Sequence, residues 1–373
     1  MNDLAKRVKE VWSFLHTIPE VGFEEFKTAA YLAQELRKTN FDVKTGIGGT
    51  GVIGMLDSGH PGPTICLRGD MDALAHHINN QDCAIHSCGH DAHSAMVLTV
   101  AEYIAAQGIK KGKVKILFQP AEEKLFGALR TIEDGAIDDV DVLLGIHLRP
   151  IQEAKLNQAT SALCHGASYV MEAEIQGKAS HGARPHLGIN AIDGAAAVVN
   201  AINAIHMNPV IPATVKVTKL QAGGAALNAI PDIAKMAFDL RAQDNLTMEE
   251  LQKKAVQAIE GGASSVGARA AVRLLGGCPA AVYHDDVIVL ARKAIIAVLG
   301  EDGLLDPITT PGGEDFHFFA QHKPSLKTGY IGLGADLTPG LHSPDMVFDQ
   351  AALINGVQIL IYMVNELIGI GKG

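Results

Sequence analysis

The stretch Val114-Lys115-Ile116-Leu117-Phe118-Gln119-Pro120-Ala121-Glu122-Glu123 decides how this chain is read. Its apolar half is short and Pro120 stops it, the signature of a buried strand. Its last two residues put adjacent carboxylates where that strand leaves the core. Upstream lies His86-Ser87-Cys88-Gly89-His90-Asp91-Ala92-His93, and downstream Leu143-Leu144-Gly145-Ile146-His147. Apolar segments thus end in, or run into, residues able to hold a metal. Strands that alternate with helices and carry their chemistry at their exits predict an open α/β sheet with its site at the carboxyl edge.

The 373 residues exceed the size at which one core usually stops growing, so two domains are expected. With 47% apolar and 19% charged residues the balance is that of a soluble globular protein. A formal charge of -10 argues against a general binder of nucleic acid or anionic membrane. No apolar run approaches the roughly 18–20 residues of a membrane span. The start, MNDLAKRVKEVWSFL, mixes charges and lacks the apolar centre of a signal peptide, which makes the cytoplasm the expected compartment. Cys66, Cys83, Cys88, Cys164 and Cys278 cannot all pair internally, and reduced thiols fit better than a disulfide scaffold.

Spacing predicts helices over 4–15, with Leu4, Val8, Trp12 and Leu15 on one stripe, and over 24–38. Short strands are expected over 52–56 and 64–68, around a Gly/Pro turn at 59–63. The polar segment 75–86, rich in His and Asn, reads as loop. A helix over 91–107, strand 113–118, helix 124–134 and a strand over 140–146 ending at His147 follow. Near Cys164 the pattern changes to strand 169–175, helix 188–206, strands near 213–220 and 232–241, helix 247–261 and strand 267–275. That order, β-α-β-β-α-β, is a ferredoxin-like α+β module. It reads as an insertion, because Gly276-Gly277 closes it and helix 284–298 resumes the larger domain. The expected domains are 1–164 with 277–373, and 165–276; a last helix over 349–366 covers the sheet.

Cys88 and His90 form an i, i+2 pair before a helix, and thiolate plus imidazole suits zinc or another borderline transition metal. The plainer alternative is a tight turn with a buried thiol. Glu122, Glu123, His147 and His342 shift the balance towards metal. His86 and His93 compete for a role, and His93, one turn beyond His90, fits an orienting one. On an extended backbone the side chains of Glu122 and Glu123 diverge, so one can coordinate while the other moves a proton. The same pair would also suit a negatively charged helix start. Asp70 and Asp72, at another strand end, offer orienting or ligating carboxylates, or turn caps. In the smaller module His181 stands in Ala179-Ser180-His181-Gly182-Ala183-Arg184-Pro185-His186, a loop suited to an oxyanion, a substrate carboxylate or plain solvation. Asn228, in a Gly-rich loop, and Arg241, at a strand end, offer further polar contacts. Thr310-Pro311-Gly312-Gly313-Glu314-Asp315-Phe316 and Pro339-Gly340-Leu341-His342-Ser343-Pro344-Asp345 are turn-forming strings with ionisable groups. Gly48-Gly49-Thr50-Gly51 lacks the spacing and lysine of a nucleotide-binding loop.

At these residues the chain resembles the aminoacylase/carboxypeptidase metallopeptidase family M20, in its amidohydrolase branch of hippurate hydrolases, auxin-conjugate hydrolases and N-acetyl-diaminopimelate deacetylases. The segments that carry the resemblance run nearly end to end. They include Leu15-His16-Thr17-Ile18-Pro19-Glu20, Gly69-Asp70-Met71-Asp72-Ala73-Leu74, the Cys88 and Glu122 motifs, Asn228-Ala229-Ile230-Pro231, Glu314-Asp315-Phe316 and Leu341-His342-Ser343-Pro344. The resemblance implies a two-metal site with Cys88, His90, Glu123, His147 and His342 as ligands of divalent ions: zinc, manganese, cobalt or nickel. It implies that Glu122 is the general base that deprotonates the attacking water and passes the proton to the leaving amine. His181 matches a histidine that, in dimeric relatives, stabilises the oxyanion in the neighbouring subunit's site. Asn228 and Arg241 match substrate-binding positions, and Asp72 matches a partner of a metal-ligating histidine. The inserted module matches a lid that also makes a homodimer.

One departure stands out. Relatives usually follow Asp-Ala-Leu with Pro and a longer acidic, Gly-containing loop, whereas this chain reads Leu74-Ala75-His76-His77-Ile78-Asn79-Asn80. His76 and His77 can line the pocket or be solvated. The expected substrate is an N-acyl-L-amino acid. The alternatives are a dipeptidase or aminobenzoyl-glutamate-type carboxypeptidase with the same site, an inactive metal-binding relative, and a cysteine-dependent transferase.

Overall fold

Lys113–Gln119 is a strand buried along nearly its whole length. It lies third in an eight-stranded sheet whose order is Asp42–Ile47, Gly51–Asp57, Lys113–Gln119, Thr64–Asp70, Val142–Pro150, Lys327–Leu337, Ala159–Thr160 and Leu304–Leu305. Thr64–Asp70 runs parallel to both Lys113–Gln119 and Val142–Pro150, and Lys327–Leu337 runs parallel to Val142–Pro150. Asp42–Ile47, Gly51–Asp57 and Lys113–Gln119 pair antiparallel, so the sheet is mixed. The parallel strands are closely apolar, as strands covered on both faces must be. The structure describes residues 2–310 and 312–371 of this computed structural model, so Pro311 of the turn-forming string lies outside the described residues.

By its contacts the chain divides into two compact units: Met1–Cys164, Val282–Thr309 and Asp315–Gly373 in one, His165–Ala281 and Thr310–Glu314 in the other. In the first unit, helix His90–Gln107 is buried at every residue from His90 to Ala101. It packs between the sheet and helices Asn2–His16 and Ala352–Ile368, so from His90 to Ala101 it has no wet face to give it an amphipathic pattern. Asn2–His16 turns Val8, Val11 and Leu15 inward, fully buried. Each such aliphatic side chain contributes about 1.5–3 kcal/mol.

Three expectations need correction, and one strand lies outside them. The segment 75–86 is a hairpin, not a loop: Leu74–Ile78 pairs antiparallel with Gln81–Ile85. Asn79 and Asn80 turn it with φ of 51° and 61°, both left-handed, which asparagine tolerates in two-residue turns. The expected strand ending at His147 continues to Pro150 and carries His147 within it. The helix expected over 124–134 is a short 3₁₀ turn, Glu122–Lys124, and a separate helix, Gly127–Glu133. Strand Lys327–Leu337 was not anticipated at all.

The second unit holds a four-stranded antiparallel sheet in the order Ala213–Ala222, Ile233–Ala242, Ala167–Gln176, Arg269–Cys278. Helices Ala191–Asn203 and Asn245–Ser265 pack on one face. This is the ferredoxin-like arrangement that the element order predicts. Ile233–Ala242 alternates strictly, with Ala234, Met236, Phe238, Leu240 and Ala242 buried. Among the described residues no helix is long and apolar enough to cross a membrane.

Helix Asn2–His16 is tied to helix His90–Gln107 by His16 Nδ1 and Asp91 Oδ2, 2.7 Å apart. The Asp91 hydrogen bond raises the His16 pKa; Asp91 lies below the usual carboxylate range, burial being outweighed by His86 and His16. The His16 contribution is complete below its ordinary titration range and is lost as pH rises through its raised value. The Asp91 contribution is complete above the ordinary carboxylate range and is lost as pH falls through its depressed value. The His16→Gln variant should therefore lose less stability than the wild type as pH rises from the ordinary imidazole range through the raised His16 value. Urea midpoints measured across that range check this, and solvent screening of the half-exposed His16 ring keeps the difference small.

Candidate metal centre

The turn after Lys113–Gln119 sets the geometry. Ala121 has φ 51° and ψ 41°, a left-handed conformation that reverses the chain into the Glu122–Lys124 turn. Gly127 follows closely because a Cβ there would stand 1.6 Å from the Pro120 carbonyl oxygen. The backbone is therefore curled, not extended as the sequence reading assumed. Both carboxylates consequently approach one atom: Glu122 Oε2 lies 3.9 Å and Glu123 Oε1 3.8 Å from His90 Nε2. They still differ in what holds them. Glu122 Oε1 accepts the Asp315 N–H at 3.3 Å, while Glu123 Oε1 faces His342 Nε2 at 3.5 Å.

Cys88 and His90 flank Gly89, which starts helix His90–Gln107 with φ 89°. That left-handed residue, cheap only for glycine, directs thiol and imidazole to one side. Cys88 Sγ is 3.5 Å from His147 Nε2. His147 donates its Nδ1 proton to the Leu148 carbonyl at 2.6 Å, which leaves Nε2 as a lone-pair donor towards Cys88. His90 Nδ1 lies 3.1 Å from Asp72 Oδ1, and the other oxygen of Asp72 accepts the Glu123 N–H at 3.0 Å. His342 has φ 65°, and its N–H donates to the Ser87 carbonyl at 2.7 Å, pinning the late loop beside Cys88.

Three of the five groups of potential ligand atoms among the described residues, the atoms of each within 4.8 Å of one another, gather here: Cys88, His90 and His147; Cys88, Glu123 and His342; and His90, Glu122 and Glu123. The structure thus brings together Cys88, His90, Glu123, His147, His342 and Glu122. A fourth group, Asp70, His90 and His93, is already tied up by hydrogen bonds. His93 Nε2 accepts the Leu148 N–H at 2.9 Å and its Nδ1 lies 2.7 Å from Asp70 Oδ1. Its ring positions backbone and carboxylate rather than offering a lone pair.

Two buried atoms among these groups have no hydrogen-bond partner: His90 Nε2 and Glu123 Oε1. Native interiors rarely leave such atoms unpaired unless an ion or water meets them. Burial first, then Glu123, pushes the Cys88 thiol well above its ordinary range. Burial likewise raises Glu123, against the pull of His90 and His342, and burial with His93 and Arg149 holds His147 well below the usual imidazole range. Burial opposes a charge on His90, yet Asp70, Cys88 and Asp72 together raise it. Thiol, imidazoles and carboxylates around unpaired buried atoms are the donor set of two borderline divalent ions.

Several residues that organise this centre were not singled out in the sequence. Arg68 is buried and donates to Gln119 Oε1 at 2.9 Å, Asp70 Oδ2 at 2.5 Å, Asp315 Oδ1 at 3.1 Å and Tyr330 Oη at 3.2 Å. Its signal was a charge at the end of an otherwise apolar strand. Asp72 is placed as expected, against His90. His86, left open by sequence, is buried with neither ring nitrogen hydrogen-bonded and belongs to none of the ligand groups. His76 Nε2 lies 2.8 Å from Ser87 Oγ and His77 Nδ1 2.7 Å from Asp82 Oδ1, so the hairpin histidines are tied locally.

In the second unit, Ser180–His181 pairs antiparallel with Ala229–Ile230, and Gly182 N–H donates to the Asn228 carbonyl at 2.7 Å. The loops of His181 and Asn228 therefore form one substructure. His181 Nδ1 accepts the Ala183 N–H at 3.0 Å, which places the ring proton on exposed Nε2. Arg241 lies on the neighbouring strand and pairs with Asp239 at 3.0 Å.

A mixed α/β sheet whose strands, helix start and loops together present paired carboxylates, a thiol and three imidazoles defines a metal-dependent hydrolase. The model of peptidase family M20/M25/M40 matches residues 66–366, and the chain belongs to that family, in its amidohydrolase branch. It is 30% identical to the hippurate hydrolase of Campylobacter jejuni subsp. jejuni, over 94% of each chain. It is 29% identical to the N-acetyl-L-cysteine deacetylase of Bacillus subtilis, over 99% of this chain and 90% of that one. The crystal structure of the Bacillus subtilis YXEP protein, described as a dinuclear metal binding peptidase, superposes with a TM-score of 0.83 at 25% identity, over 98% and 99% of the two chains.

Replacing Asp72 with Ala removes the acceptor of both the His90 ring and the Glu123 backbone. Affinity for divalent zinc or manganese should fall roughly 10–100-fold in equilibrium titration of chelator-stripped protein. Unchanged affinity would show that packing alone holds both groups.

Proposed function

We propose that this protein hydrolyses the amide bond of N-acyl-L-amino acids, releasing a carboxylate and a free amino acid. The observation that carries the reading is the division of labour within one turn. Glu123 aims an unpaired oxygen at His90 and His342, while Glu122 keeps its carboxylate beside them on the Asp315 N–H. Cys88, His90, Glu123, His147 and His342 would hold two divalent ions. Such ions supply Lewis acidity, polarising the amide carbonyl and making water acidic at neutral pH.

The remaining work falls to the chain's own residues. Glu122 takes a proton from the attacking water at a carboxylate oxygen and returns it to the amide nitrogen as the carbon–nitrogen bond breaks. Asp72 keeps the His90 ring and the Glu123 backbone in register through this exchange. His181 donates from Nε2 to the developing oxyanion, and Asn228 and Arg241 bind the substrate. The second unit serves as lid and homodimer interface. The names of the relatives support the acyl-amino-acid class: an N-acetyl-L-cysteine deacetylase, a hippurate hydrolase and hydrolases of indole-3-acetyl amino acids.

A hydrolysis panel of N-acetyl, N-benzoyl and N-indoleacetyl amino acids beside unmodified dipeptides, with metal-reconstituted protein, tests the substrate class. Turnover of the acyl amino acids is expected, and dipeptides cleaved in their place would move the reading to a dipeptidase. The Glu122→Gln variant should keep its metal and lose turnover by about 10²–10⁴-fold. Comparable turnover in that variant would remove Glu122 as the base. His181→Ala should lower kcat with metal affinity unchanged, measured by steady-state kinetics beside metal titration; primary loss of metal would contradict its role.

A further inference from the structure

Glu25 stands at the N-cap position of helix Phe26–Arg37, yet its side chain makes no capping bond. Glu20 does that work instead: its carboxylate accepts the N–H groups of Lys27 at 2.9 Å and Thr28 at 3.0 Å. The Glu25 side chain turns inward and is fully buried. One oxygen accepts the Ala121 N–H at 2.8 Å, and the other accepts the Thr50 hydroxyl at 2.5 Å. Ala121 is the left-handed residue that reverses the chain immediately before Glu122 and Glu123.

A buried carboxylate is a costly way to fill space, and an apolar side chain of similar size packs there more readily. What an apolar side chain lacks is an acceptor. Ala121 is completely buried, so its N–H has no water to turn to. The carbonyl of Ala121 is also held, by Lys124 N–H at 3.3 Å and Gly127 N–H at 3.2 Å. Gly22, just upstream of Glu25, approaches so closely that a Cβ would stand 2.9 Å from Ala121 Cα. The segment Glu20–Glu25 thus straps the turn from outside, and the Glu25 carboxylate is its polar anchor.

We propose that Glu25 is a positioning residue for hydrolysis: by accepting the Ala121 N–H it holds the left-handed turn that aims Glu122 and Glu123 at the metal centre. This rests on the proposed function for its kinetic consequence, and on geometry alone for the clamp. Glu25→Gln keeps an acceptor for Ala121 and a donor for the Thr50 oxygen. Glu25→Met has similar length and no acceptor.

The test compares these two variants and Thr50→Val, which frees the second carboxylate oxygen. Hydrogen exchange of the metal-free proteins, read on peptides spanning Ala121, should be faster in Glu25→Met and Thr50→Val and unchanged in Glu25→Gln. With metal restored, kcat should fall about 10–100-fold in Glu25→Met, while KM stays within about threefold and Glu25→Gln remains near wild type. Equal exchange and equal kcat in the Gln and Met variants would overturn the proposal. Equal impairment of both would overturn it too, since charge rather than acceptance of the N–H would then matter. Should Glu25→Met fail to fold, unchanged exchange at Ala121 in Thr50→Val overturns the clamp. Wild-type protein inactive on every acyl amino acid would sink the functional reading, while the exchange pattern would still decide the clamp.

Discussion

One carboxylate, that of Asp72, joins the two elements that bear most of the ligand atoms. Its Oδ1 faces the ring of His90 at the start of helix His90–Gln107, and its Oδ2 takes the backbone of Glu123 in the turn after Lys113–Gln119. Both elements follow Asp72 in the chain, His90 by 18 residues and Glu123 by 51. Ala73, next along the chain, donates to the Glu20 carbonyl at 2.8 Å, so the N-terminal strap, Asp72 and the ligand-bearing turn form one assembly. An imidazole free to rotate about its ring axis makes a poor ligand, and the orienting bond also decides which nitrogen is left to coordinate.

Beneath this assembly, Arg68 supplies the one buried guanidinium that the carboxylates of Asp70 and Asp315 share. A fork with five donors serves these four partners better than a lysine would. Truncating such a side chain would strand two buried carboxylates, a loss of about 3–5 kcal/mol. The network extends upward through Asp70 to His93, whose second nitrogen accepts the Leu148 N–H beside His147. It extends sideways through Asp315, whose carboxylate takes Ala128 N–H at 2.9 Å while its own N–H meets Glu122. The floor of the site and the walls that carry the ligands are therefore one hydrogen-bonded body.

Most of this was legible where chemistry and periodicity coincided. Pro120 and the apolar run before it located the carboxylate turn, and the Cys88-Gly89-His90 string located the helix start. The strand Lys327–Leu337 escaped because Gly329, Gly332 and Gly334 dilute its apolar pattern. Those positions lack side chains for a packing reason: a Cβ at Gly334 would stand 1.9 Å from the Lys155 carbonyl oxygen. The hairpin at 74–85 escaped for the opposite reason. Its pairing is satisfied by backbone bonds and an Asn79-Asn80 turn, and most of its side chains face solvent, so no apolar alternation marks it. Glu25 carries no signal as a residue type, and the Glu314-Asp315-Phe316 string marks Asp315 without saying what it holds; only their long-range partners reveal what they do.

Unpaired buried polar atoms alone do not mark a metal centre, and His86 shows why. Both its ring nitrogens lack partners, as His90 Nε2 does, and burial holds its pKa below the usual range. No thiol or carboxylate oxygen converges with it closely enough to make a ligand group among the described residues. Around His90 the opposite holds. Carboxylates approach within 4 Å, and a thiol that burial keeps protonated at neutral pH completes the set. A divalent cation entering there would meet donors that must surrender a proton to bind it, which couples metal uptake to proton release. Convergence, with the acid of Glu122 left on a backbone N–H beside it, is what separates a site from a buried histidine.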